Sequence, residues 1–219
     1  MAEVLTLELV DPDGAIEEAL DEANADSRTD FLKKAVVGGG TFLAGGVLFG
    51  GFPKLALGAK SQSQDIAILN FALLLEFLEA EFYTQAVAGG ELQGETLQFA
   101  RVVGAHERAH VQFLQGALGS AARKKPRFNF RGTTEDQGMF QATAVVLEDT
   151  GVAAYNGQGP NLSNPAYLAA AGSVVSVEAR HAAWIRDIIN QNPAPKAFDQ
   201  AKTKRQIEAA VAKTRFIVG

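Results

Sequence analysis

The chain has 219 residues, a formal net charge of −5 and no cysteine. That length holds one well-packed domain plus an extension, and the missing cysteines exclude disulfides, thiolate zinc sites, iron–sulfur clusters and cysteine nucleophiles. The charge is uneven: residues 1–30 carry ten acids and one base, while the rest is mildly basic. It lacks the aromatic-interleaved basic stripe of a nucleic-acid binder.

Residues 1–26 form an acidic N-terminal extension with a turn at Asp11–Gly14 and a short helix expected over 15–25. Residues 27–59 have the parts of an export signal. Ser27-Arg28-Thr29-Asp30-Phe31-Leu32-Lys33 is similar to the twin-arginine pattern, with Thr29 where the second arginine belongs, and a glycine-dense apolar run follows to Pro53. Export or cell-envelope association is the expectation, with cytoplasmic retention if the change at Thr29 disables the signal. Membrane anchoring through 35–53, or packing of that run on a partner, are the alternatives.

Residues 60–192 read as four helices. The first, about 65–88, is apolar almost all round at Phe71–Leu78, so it should be deeply buried. The second spans about 93–118 and stops at Gly119. A polar, basic stretch follows over 120–136, in which Arg123, Lys124, Lys125, Arg127 and Arg131 read as a solvated loop. The third helix spans about 137–156. The fourth begins with Asn164 as cap and Pro165 at its first position, and ends before Pro193. Residues 193–219 form a helical tail, with an amphipathic helix expected over 197–216 that packs Phe198, Ile207, Val211 and Phe216.

The chain holds three histidines, and two of them share one local pattern. Glu107-Arg108-Ala109-His110 and Glu178-Ala179-Arg180-His181 are both E-x-x-H, which on a helix places acid and imidazole on the same face. Glu76 and Glu148 lie on the apolar stripes of the other two helices. Four buried carboxylates cannot stay ionised alone, and no lysine or arginine shares their stripes. Two divalent cations balance them, with the imidazoles completing the coordination. One Glu from each of two helices plus Glu-x-x-His from each of the others is a known dinuclear carboxylate pattern. Oxygen and imidazole donors suit iron best, with manganese as the alternative and zinc also accepted. Spacing agrees: 31 residues separate Glu76 from Glu107, 30 separate Glu148 from Glu178, and 41 separate Glu107 from Glu148. The chain thus reads as two similar hairpins joined by a longer connection. A 25-residue helix is about 37 Å long, which about 11 extended residues span. A rival pattern, His106-Glu107-Arg108-Ala109-His110, matches the H-E-x-x-H of zinc proteases, but leaves Glu76 and the second Glu-x-x-His without a role.

LEFLEAEFY (75–83), AHERAHVQFL (105–114), LEDTGVAAY (147–155) and SVEARHAAW (176–184) together resemble the ferritin-like proteins, which include bacterial and plant desiccation-related proteins. The resemblance covers about residues 64–192. It implies an all-α, ferritin-like four-helix bundle with a long crossover between helices 2 and 3, followed by a C-terminal helix. It also implies metal and catalytic roles for Glu76, Glu107, His110, Glu148, Glu178 and His181. In ferritins a large or aromatic residue follows the helix-one ligand by seven positions. Tyr83 after Glu76 and Tyr155 after Glu148 fit that spacing and favour Glu76 over Glu79. Glu79, Tyr83, His106 and Tyr155 are expected around the ligands, the tyrosines as core aromatics or redox relays. Glu81 is expected to face solvent and Trp184 to pack. The implied activity is oxidation of ferrous iron or consumption of peroxide, with metal ions and oxygen or peroxide as partners, and homo-oligomers are an option. A non-catalytic stress-protective protein with a bound or vestigial metal site is the alternative.

Overall fold

A computed structural model describes residues 62–218, so the expectations for residues 1–59 lie outside the described residues. Five helices and two short strands follow in chain order: α1 Gln62–Gly89, α2 Gly94–Leu118, β1 Arg127–Phe128, α3 Gln137–Gln158, α4 Pro165–Ile188, α5 Lys204–Thr214 and β2 Ile217–Val218. Among the described residues no helix is long and apolar enough to cross a membrane.

Local chemistry sets the helix ends. Asp136 caps α3 by accepting from Met139 N, and Asn164 caps α4 by accepting from Ala166 N, with Pro165 at the first helical position. At α5 the Thr203 and Gln206 side chains form a reciprocal capping box. Asp65, buried near the start of α1, accepts from Ser163 N at 2.8 Å, Ser163 Oγ at 2.7 Å and Asn164 N at 2.9 Å. The carboxylate thereby ties the entry of α1 to the entry of α4.

α1 packs against α2, α3 packs against α4, and the two hairpins close on each other through α1 with α3 and α2 with α4. Tyr83 meets Glu148 while Tyr155 meets Glu76, so α1 and α3 run antiparallel. α2 therefore runs in the same direction as α3, and the connection between them must travel the length of the bundle. Residues 119–136 do this through a 3-10 turn at Gly119–Ala121, β1, and the turns that lead to Asp136. This is the four-helix architecture with the long crossover that the resemblance implies.

α1 is the most buried helix. From Phe71 to Tyr83 its residues are buried except Leu74 and Glu81. Phe82 stacks on Phe140 at 5.0 Å between centroids and meets Phe130 edge-on, while Tyr83 meets Phe99 and Phe140 edge-on. Such pairs contribute roughly 0.5–1.5 kcal/mol each beyond the area they bury. Trp184 packs edge-on against Phe99 and donates from Nε1 to Glu95 at 2.8 Å.

The tail differs from its expected form. α5 begins only at Lys204, because the capping box of Thr203 and Gln206 fixes its start there. Ile207, Val211 and Phe216 join the main core, but Phe198 is 85% exposed. β2 pairs antiparallel with β1, Arg127 opposite Val218 and Phe128 opposite Ile217. The basic stretch is also less free than a solvated loop: Lys125 pairs with Glu81, and Arg131 reaches the carbonyl of Arg215. Glu81 is accordingly half-buried and paired rather than turned to water.

Candidate metal centre

Near its middle each bundle helix sends one glutamate inward, and all four are buried: Glu76 from α1, Glu107 from α2, Glu148 from α3 and Glu178 from α4. His110 and His181 lie one turn beyond Glu107 and Glu178, on the same faces. The six side chains resolve into two groups: Glu76, Glu107, Glu178 and His110 in one, Glu107, Glu148, Glu178 and His181 in the other. Within each group the ligand atoms lie within 4.8 Å of one another. Glu107 and Glu178 belong to both groups and stand between them.

The imidazoles present Nδ1 to the carboxylates. His110 Nδ1 lies 3.1 Å from Glu107 Oε2 and 3.2 Å from both Glu76 Oε2 and Glu178 Oε1. His181 Nδ1 lies 3.1 Å from Glu148 Oε2 and 3.2 Å from Glu107 Oε1. One ring nitrogen cannot satisfy so many acceptors. Glu107 Oε1 and both oxygens of Glu178 are buried without an aligned hydrogen bond, although a histidine nitrogen lies close to each. Native proteins rarely leave buried oxygens without partners. Among the described residues no lysine or arginine lies within 4.0 Å of these carboxylates. Oxygens without aligned partners converging with imidazole nitrogens, with no lysine or arginine to neutralise them, make a donor set that divalent metal ions can occupy in place of the imidazole protons. The cluster therefore fits such ions and can hold a metal.

The charge environment points the same way. Burial raises the Glu76 carboxyl to about 8 against the opposing pull of His110. Burial also raises Glu148 and, reinforced by the Glu107 charge, lifts Glu178 well above the usual range. Burial would raise Glu107 too, but hydrogen bonds from His110 and His181 outweigh it and hold the group at about 2. Burial disfavours the charged imidazoles, yet the surrounding carboxylates lift His110 to about 12 and His181 to about 10. Without metal, protons gather where cations would sit.

A further ring of side chains holds the six in place. The Tyr83 hydroxyl donates to Glu148 Oε1 and the Tyr155 hydroxyl donates to Glu76 Oε1, so each tyrosine braces the glutamate of the opposite hairpin. Burial, then the charge of the facing glutamate, keeps both phenols protonated. Tyr83 fits because residue 104 is glycine: a Cβ there would stand 2.8 Å from Tyr83 Cβ. His106 lies outside both groups on the exposed side of α2. Its Nδ1 hydrogen-bonds His181 Nε2 at 2.9 Å, and its ring stacks on His181 at 5.1 Å. His106 and His110 therefore do not converge on one ion, as an H-E-x-x-H protease would need. A cleft lined by His106, Ala109, His110, Val177, Arg180, His181 and Trp184 opens between α2 and α4 onto the histidine side of the cluster. Glu79 is buried beside the cluster but belongs to neither group. This agrees with the expectation that it lies around the ligands rather than among them.

The family model for the ferritin-like domain matches residues 64–191. No curated protein matches the chain.

Proposed function

The chain belongs to the ferritin-like domain family, and we propose that it binds two divalent metal ions, iron first among them, and reduces oxygen or peroxide at that pair. The observation that carries this reading is the pair of ligand groups sharing Glu107 and Glu178, whose three oxygens without aligned partners have histidine nitrogens, and no lysine or arginine, beside them. Glu76 and His110 would complete one ion's ligands, and Glu148 and His181 the other's. Bound iron supplies the electrons that the oxidant takes up. Manganese in the same set suits peroxide disproportionation, and zinc would bind without redox chemistry.

The protein's own groups then have defined tasks. Glu107 and Glu178 keep the two positions adjacent. Tyr83 and Tyr155 fix the orientation of Glu148 and Glu76, as outer partners of metal ligands do. His106 accepts from or donates to His181 Nε2 and so sets which face His181 turns inward. The buried aromatic layer of Phe82, Phe99 and Phe140 keeps water from one end of the cluster. The cleft between α2 and α4 admits a small oxidant to the other side.

The test is to load the metal-free protein with ferrous ion under anaerobic conditions and then add oxygen or hydrogen peroxide. Rapid oxidation of the bound iron with matching loss of oxidant supports the proposal. Tight ferrous binding with no consumption of either oxidant would replace it with the non-catalytic, stress-protective reading.

A further inference from the structure

The two hairpins repeat the same ligand pattern with one break. Three residues after Glu76, helix α1 carries Glu79; three residues after Glu148, helix α3 carries Gly151. Those two positions meet. A Cβ at residue 151 would stand 3.1 Å from Glu178 Oε2 and 3.4 Å from Glu79 Oε1. Both carboxylates therefore border the space beside Gly151, Glu178 tightly and Glu79 at van der Waals distance, and the Glu178 oxygen there has no hydrogen-bond partner.

Glu79 is 3% exposed. No hydrogen bond or ion pair among the described residues reaches its carboxylate. The charged groups that act on it most are Glu178, Glu148, Glu107 and Glu76, all of its own sign. A buried acid whose strongest charged neighbours are other acids is costly to the empty fold. A glutamine of the same shape would serve packing better.

We propose that Glu79 is a fifth carboxylate arm of the metal centre, a ligand to the ion held by Glu148, Glu178 and His181, admitted by the gap at Gly151. This rests on the dinuclear reading above. It makes the two ions inequivalent: one draws carboxylates from three helices, the other from all four. Four carboxylates balance two divalent ions, so the fifth adds negative charge on one side only and favours the more highly charged cation there.

The experiment is calorimetric and spectroscopic titration of the metal-free full-length protein with cobalt(II), which reports binding without turnover. The unaltered protein should take two ions. Glu79→Gln keeps size and burial; it should weaken one ion at least about tenfold and leave the other within about twofold. It should also raise the melting temperature of the metal-free protein. Gly151→Ala brings a Cβ to 3.1 Å from Glu178 Oε2, an arm of both groups, and should weaken both ions, unlike Glu79→Gln. If helix content shows that Glu79→Gln does not fold, Glu79→Asp carries the same comparison. Unchanged affinities for both ions in Glu79→Gln would overturn the proposal, as would equal losses at both. If the unaltered protein takes fewer than two ions, the dinuclear reading itself fails and takes this one with it.

Discussion

The α1–α2 hairpin and the α3–α4 hairpin solve one problem twice, and differ where the second solution is relaxed. Each supplies a glutamate, a Glu-x-x-His and a tyrosine seven residues after its first ligand, and each tyrosine braces the other hairpin. The first hairpin is the tighter. Tyr83 is fully buried against Gly104, whereas Tyr155 is half-buried, and Val175 holds the place in α4 that Gly104 holds in α2. The first also carries Glu79 where the second has Gly151, and His106 where the second has Val177. On the proposed reading, the shared half of the pattern would build a pair of metal positions, and the differences would make them unequal.

The largest effect should separate shared ligands from unshared ones. Glu107→Ala or Glu178→Ala removes an arm from both groups and should abolish both ions, counted by elemental analysis after gel filtration. Glu76→Ala or Glu148→Ala should leave one. Equal losses from all four would break the assignment of Glu107 and Glu178 as the shared pair.

Next in size is pH. Metal must displace protons from His110, His181 and Glu76, so affinity should rise with pH in both halves. The metal-free fold should behave oppositely. The Glu76 carboxyl is raised in the fold, so its contribution is fully present below about 4.5 and is lost as pH climbs to about 8. The raised imidazoles act in the same direction, losing stability as pH rises from about 6.5 through about 10 for His181 and about 12 for His110. Glu107 is held low, so its contribution is lost only as pH falls from 4.5 toward about 2. Thermal unfolding of the metal-free protein should therefore peak near pH 5 and decline toward pH 9. A flat or rising profile would contradict the cluster's charge balance.

Smaller effects sharpen the difference between hairpins. Tyr83→Phe should weaken the ion bound through Glu148 by about 10–100-fold, and Tyr155→Phe should weaken the ion bound through Glu76 by less, because its site is more open to water. Smallest is His106→Ala, an exposed position, which should shift affinity on the His181 side by no more than about tenfold. Cobalt(II) titration reads each.

The bundle and the six converging side chains were legible because Glu-x-x-His occurs twice at matching spacing and both glutamate stripes fall mid-helix. The crossover was legible from its length. Glu79 was legible only as a neighbour of the ligands, since α1 is apolar on nearly every face, so periodicity alone cannot separate Glu76 from Glu79. The tyrosine after seven residues chose Glu76, and only three-dimensional proximity to Gly151 gives Glu79 a place. The tail was overextended because it included Phe198, although its separation of 9 residues from Ile207 puts it on the opposite helical face from Ile207. The Thr203–Gln206 box was present in the sequence and marks the true start. Asp65 could not be foreseen, because its partners Ser163 and Asn164 lie almost a hundred residues away.

The central claim is that this bundle encloses a pair of ions joined by Glu107 and Glu178. The most direct measurement is the number of tightly held ferrous or manganous ions per chain after anaerobic loading and desalting, taken with their separation by X-ray absorption spectroscopy. Two ions per chain with a metal–metal distance near the roughly 3.5–4 Å of two-metal sites is the expected result. A single ion, or two that show no metal–metal scattering, would contradict it.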